Sequence, residues 1–301
     1  MYFRRVFVAL DLELHDLNSE EFVPATARRL VERGIDIAAA QRGELHLCTV
    51  VDGLDLTQIP ATPQQISAFG GILSERLDAL ADEAREAGVD CETSLLGGLV
   101  WQELLQQANE WSADLIVLGA DSRESSLSPT ALRLARSARC PVLVDRPAVR
   151  SPQPEALDEE PPHVLIADDL SGSCGDRLMT FVGSGLWRNA KCWLTHVVEP
   201  ERWPEAWRGG VSDDDFARRQ AARVESVRSK LHEQLVPTDH RTMTYGILTH
   251  VAEGDFRKTL RSLIDEWQID LLVCGSGSRM EALLPHVPCS SLCFPNPNTD
   301  D

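Results

Sequence analysis

The feature that most restricts this chain is that it reads twice. Asn109-Glu-Trp-Ser-Ala-Asp-Leu-Ile-Val-Leu-Gly119 recurs as Asp265-Glu-Trp-Gln-Ile-Asp-Leu-Leu-Val-Cys-Gly275, and the pairs Trp111/Trp267 and Gly119/Gly275 are both 156 residues apart. Val6 to Asp11 is echoed by His163-Val-Leu-Ile-Ala-Asp-Asp169, and Leu45 to Asp52 by Cys192 to Glu199. Cys140 to Val144 is echoed by Cys289 and the run Ser290 to Phe294. Self-similarity at one fixed offset is the mark of a duplicated unit, so the chain must fold as two copies of one architecture.

Each copy alternates short apolar runs with helical periodicity. In the first, Val6–Leu10, Glu44–Asp52, Cys91–Leu96, Leu115–Leu118 and Val142–Val144 read as strands, with Leu115–Leu118 as one buried on both faces. Between them lie a helical pattern from Ser19 onward, broken near Gly34 or Gly43, and a long amphipathic helix through Phe69, Ile72, Leu73, Leu77, Leu80, Ala81 and Ala84. Val100–Trp111 is a third helix, and a fourth runs to about Arg139, opened by Ser128 as N-cap and Pro129 at its first position. Strands alternating with helices predict a parallel, layered α/β sheet of five strands per copy. The acidic, proline-rich stretch Ala148–Pro162 has no periodicity and reads as a linker. The predicted domains are therefore 1–147 and 163–301, joined by 148–162.

Composition sets limits on partners. A net charge of −18 argues against binding nucleic acid through a basic surface. No stretch reaches the apolar length of a membrane span, and Val6–Leu10 is too short for a signal peptide, so the expectation is a cytoplasmic protein. The eight cysteines are scattered and none forms Cys-x-x-Cys, which reads as buried free thiols in a reducing compartment.

These residues resemble the universal stress protein family in its tandem two-domain form. The resemblance rests on the strands ending in Asp11 and Asp169, on Leu47–Asp52 and Leu194–Glu199, on the Asp-Leu-Ile-Val-x-Gly strand, and on Cys140-Pro-Val-Leu-Val144. It implies two tandem adenine-nucleotide-alpha-hydrolase-like, Rossmann-like domains, each with a parallel sheet between helices. It also implies a role in the stress response and pairing through the last strand, either as an internal pseudo-dimer of the two halves or as a homodimer. ATP-binding members carry Gly-x-x-Gly, nine residues, then Gly-Ser or Gly-Thr after the fourth strand, where backbone N–H groups and a helix N-terminus hold the phosphates. Here Gly119 stands in place, Ser122 replaces the second glycine, and Ser128-Pro129 takes the Gly-Ser position after only Arg123 to Leu127. The second copy, Gly275-Ser-Gly-Ser-Arg-Met-Glu-Ala-Leu-Leu-Pro285, leaves almost no room for loop and helix.

The reading is a non-catalytic stress protein with a degenerate ATP loop, needing no cofactor or metal and acting on protein partners or a small ligand. The alternative is an ATP or AMP sensor, or weak ATPase, built in the first domain from Asp11, Val50, Gly119, Ser122 and Ser128. A third is a metal or redox module at Cys289 and Cys293, with His286 near. Ser171-Gly-Ser-Cys-Gly-Asp176 is a candidate anion nest, against a plain strand-to-helix turn. His196 fits a satisfied core histidine. Trp203 and Trp207 would cover a sheet edge or a partner surface, and Asp213–Asp215 would start a helix.

Overall fold

The computed structural model describes residues 3–12, 22–52, 63–120, 127–146, 160–170, 174–200, 212–276, 279 and 282–295. It divides into two compact units, Met1–Arg146 with Leu284–Asp301, and Pro147–Leu283.

The first unit runs β1 (Arg5–Leu10), α1 (Ala25–Gln41), β2 (Glu44–Asp52), α2 (Pro63–Glu86), β3 (Asp90–Gly98), α3 (Val100–Glu110), β4 (Leu115–Gly119), α4 (Pro129–Ser137) and β5 (Val142–Asp145). Its strands lie in the order β3-β2-β1-β4-β5, all parallel. The apolar runs explain why: Val6, Phe7, Val8, Leu45, Leu47, Leu115 and Val117 are fully buried, as strands covered by helices on both faces must be. On α2 the predicted stripe divides, because Leu73, Leu77, Leu80, Ala81 and Ala84 are buried whereas Phe69 and Ile72 are exposed.

Two local expectations change. Helix α1 starts at Ala25 behind Pro24, not at Ser19; Phe22 precedes it and is exposed, and residues 13–21 lie outside the described set. Nor does Gly34 break it. A Cβ there would meet Val8 Cγ2 at 2.7 Å and Leu45 Cδ1 at 2.9 Å, so the glycine lets the helix press onto the sheet. The helix ends at Gln41, with Arg42 in the left-handed region as its cap.

The second unit runs β6 (His163–Ala167), α5 (Cys174–Ser184), β7 (Lys191–Val198), α6 (Asp213–Leu235), β8 (Ile247–Glu253), α7 (Phe256–Glu266) and β9 (Leu271–Gly275). Its parallel order is β8-β7-β6-β9, the same winding as β3-β2-β1-β4. The expected helix start at Asp213–Asp215 is present, with Ser212 Oγ accepting the Asp215 N–H at 3.1 Å.

The sequence division put all of 163–301 in the second domain. The structure instead groups Leu284–Asp301 with the first unit, since β10 (Ser290–Phe294) pairs antiparallel with β5. The last strand of the second repeat thus covers the edge that the last strand of the first would leave open. Asp145, nearly inaccessible at the end of β5, anchors this join. Its carboxylate meets Arg29 at 3.0 Å and Arg33 at 3.6 Å, and accepts from Ser290 Oγ at 3.4 Å; Ser290 Oγ in turn accepts the Arg146 N–H at 3.0 Å.

The duplicated Trp-x-x-Asp motif has one mechanical job in both units. After each tryptophan the chain turns through a left-handed residue, Ser112 (φ 56°) and Gln268 (φ 50°). The Ala113 and Ile269 N–H groups then donate back to Ala108 and Ile264. The aspartate that follows ties the helix end to the first strand. Asp114 Oδ2 accepts the Arg4 and Arg5 N–H groups at 3.2 and 3.1 Å, and Asp270 Oδ2 accepts the His163 N–H at 2.8 Å.

Candidate functional site

In the first unit, Asp11, Val50 and Gly119 lie at the C-terminal ends of the adjacent strands β1, β2 and β4, the edge where open α/β sheets bind ligands. Asp11 is exposed and Val50 half-buried. A Cβ on Gly119 would meet Leu30 Cδ1 at 3.2 Å, so an apolar side chain of α1 lies against the glycine expected to begin the cradle. Ser128 caps α4, its Oγ accepting the Ala131 N–H at 3.1 Å, and Pro129 follows at the first helical position. One donor of that helix end is therefore occupied and another does not exist. Ser122 lies outside the described residues.

In the second unit the corresponding crevice is filled by an arginine. Arg177 of α5 is nearly inaccessible and pairs with Asp169 at 3.1 Å. A Cβ added to Gly275, the counterpart of Gly119, would collide with the Arg177 guanidinium. Of the candidate nest, residues 171–173 lie outside the described set, and Asp176 sits in the first turn of α5.

A cavity of about 340 Å³ opens beside this crevice, at the end of β7 and against α6, within the range of roughly 300–1,000 Å³ usual for small-molecule sites. Val197, Val198 and Val227 give it an apolar floor, while Arg223, Lys230 and Arg279 bring cations. Its single carboxylate, Glu199, is engaged through both oxygens: Oε2 meets Arg279 at 3.2 Å and Oε1 accepts the Phe256 N–H at 3.4 Å. Arg223 Nη1 donates to the Glu199 carbonyl at 3.3 Å. His196 also lines the cavity. Its Nδ1 lies 2.7 Å from the Asp168 carbonyl, which can only accept, so Nδ1 donates and a neutral ring keeps a lone pair on Nε2. The histidine is hydrogen-bonded, as expected, but half-buried at a cavity wall instead of in the core.

Sequence reasoning missed this site, although a signal was there. Arg223, Val227 and Lys230 are spaced four and three apart, so two cations share the helical stripe of a buried valine.

Four of the thiols are held away from the reactive thiolate form. Burial pushes Cys48, Cys140 and Cys192 up to about 12 and Cys91 to about 11, keeping them protonated near neutrality. Cys289 and Cys293 are buried, the latter paired in register with Val142 on β5. Among the described residues no group of three or more His, Cys, Asp or Glu side chains is placed to hold a metal ion, and no helix is long and apolar enough to cross a membrane. Trp203 and Trp207 lie outside the described set.

A repeated, parallel-stranded α/β unit with helices packed on its sheet defines a Rossmann-like fold. Comparison makes this specific. The model described as the universal stress protein family matches residues 4–146, the first repeat of the chain. A universal stress protein of Methanocaldococcus jannaschii is 28% identical over 174 residues, which is 50% of this chain and 99% of the relative. The crystal structure of a universal stress protein from Archaeoglobus fulgidus superposes with a TM-score of 0.65 at 13% identity, covering 99% of each chain. A protein of unknown function from Pseudomonas aeruginosa superposes at 0.62 and 16% identity, covering 97% of this chain and 92% of its own. At such identities the two structures share the fold.

Proposed function

We propose that this is a stress-response protein that works by binding rather than by catalysis, and that its ligand is not ATP held in a phosphate cradle of the first unit. One observation carries this reading. At the end of α4, where phosphate would sit, Pro129 has no N–H to give and the Ala131 N–H is already held by Ser128. The contact of Leu30 with Gly119 adds to it. The raised thiols supply no nucleophile, and buried free cysteines fit a reducing, cytoplasmic setting. β10 of the second repeat pairs with β5 inside the first unit, so that sheet edge is closed within one chain.

A second reading keeps a nucleotide sensor in the first unit. It is favoured by the placement of Asp11, Val50 and Gly119 at the ends of neighbouring strands. Calorimetry of nucleotide-stripped protein with ATP and AMP separates the two. The binding reading expects no first-unit association at low-micromolar concentrations; tight binding lost in Gly119→Val would overturn it.

A further inference from the structure

Resting on the reading that the protein acts by binding, we propose that the second-unit cavity takes a small organic anion. The ligand class is a phosphate or carboxylate group on a short apolar body, with the anionic group between Arg223, Lys230 and Arg279 and the body over Val197 and Val198. Three observations converge on it. The first is charge. In a chain of net charge −18, this cavity gathers three cations against one carboxylate, and that carboxylate is spent on Arg279 and on the Phe256 N–H. Lys230 stands exposed at the cavity rim and makes no ion pair among the described residues, so its charge is open to an incoming anion. The second is backbone conformation. Leu170 lines the same cavity at φ 57°, a region that bulky residues avoid. It is held there by the Asp168 carboxylate, which accepts its N–H at 2.7 Å. Such conformations collect at ligand sites, where the surrounding structure fixes them. The third is size and lining: an apolar floor with convergent polar groups and a volume at the small end of ligand sites matches a body of one ring.

The site differs from a phosphate cradle of glycines, because its anion would be held by side-chain cations. The crevice that a cradle would use, at Gly275, is occupied by Arg177. Side-chain binding of this kind accepts carboxylate and phosphate alike, with the more highly charged head favoured.

The test is calorimetry of the full chain at low ionic strength with phenyl phosphate, benzoate and neutral benzyl alcohol. Phenyl phosphate or benzoate should bind, and benzyl alcohol should not; whichever anion binds more tightly names the natural head group. Lys230→Glu should weaken binding by about tenfold or more. Arg228→Glu, which makes the same charge change on the outward face of α6, should leave it within about twofold. Equal binding of benzyl alcohol, no binding of either anion, or indifference to Lys230→Glu would overturn the proposal. None of these results bears on ATP at Gly119, whose binding would instead overturn the function proposed above.

Discussion

Removing the aspartate of the duplicated motif tests whether the two units are built by one device. Asp114 Oδ2 accepts two backbone N–H groups at the start of β1, and Asp270 Oδ2 accepts one at the start of β6. Hydrogen bonds to charged groups contribute about 1.5–3 kcal/mol each when well shielded. Both aspartates are half-buried, so water replaces part of each bond, and about 1 kcal/mol per bond is the working figure. Asp114→Ala should therefore cost about 2 kcal/mol and Asp270→Ala about 1 kcal/mol. Asparagine at either position keeps an acceptor oxygen and should recover about half of the loss. Urea denaturation of each variant measures this, with tryptophan fluorescence reporting on Trp111 and Trp267, which stand one turn before the aspartates. The reasoning fails if Asp270→Ala costs as much as Asp114→Ala. It fails equally if both variants stay within about 0.3 kcal/mol of the parent at unchanged m-value.

Gly34→Ala should destabilise the first unit by about 1–3 kcal/mol, because its Cβ would enter the space of Val8 and Leu45; a thermal melt within a degree of the parent would contradict the close-approach reading. Asp145→Ala removes the anion that Arg29, Arg33 and Ser290 share, and should cost about 2–3 kcal/mol, less than a fully buried pair because both arginines are about one-third exposed. Hydrogen exchange should then rise first along β10, and an unchanged β10 would count against the anchoring role. His46 is held below its ordinary value near 6.5 by burial, which the nearby Glu92 opposes. The unfolded chain binds that proton first, so stability is present above about pH 6.5 and falls as pH drops through the lowered native value. His46→Gln should flatten stability between pH 7 and pH 5, and a slope identical to the parent would sink this assignment.

Much of the fold was legible because a parallel strand buried on both faces announces itself as an unbroken apolar run. Strand 115–119 and its repeat 271–275 both lie where those runs stand. Other features leave no such trace. Gly34 looks like a helix breaker until the helix is known to touch Val8 and Leu45. Ser112 and Gln268 take a left-handed conformation without being glycine, since the helix-ending hydrogen bonds and the aspartate that follows hold them there. The partner of β10 stayed open between an internal pairing and a homodimer, because a short strand such as Ser290–Phe294 pairs with any open edge of matching length. The lost glycines of the first-unit loop were legible against the loop motif that the family resemblance implies. That Leu30 lies against Gly119, and that Arg177 does the same at Gly275, depends on helix packing no spacing records. The cavity was hidden for a related reason, as cations on an amphipathic helix ordinarily face water.

The central claim is that ligand binding resides at the β7–α6 cavity and not in a phosphate cradle after β4. Amide chemical-shift mapping on the full isotope-labelled chain tests it directly, with phenyl phosphate and ATP added in separate titrations. The account predicts that the phosphate ester moves amides of Val198, Glu199, Arg223 and Lys230, while those of Gly119, Ala120 and Ala131 stay in place with either ligand. Saturable shifts centred on Gly119 and Ala120 would contradict it.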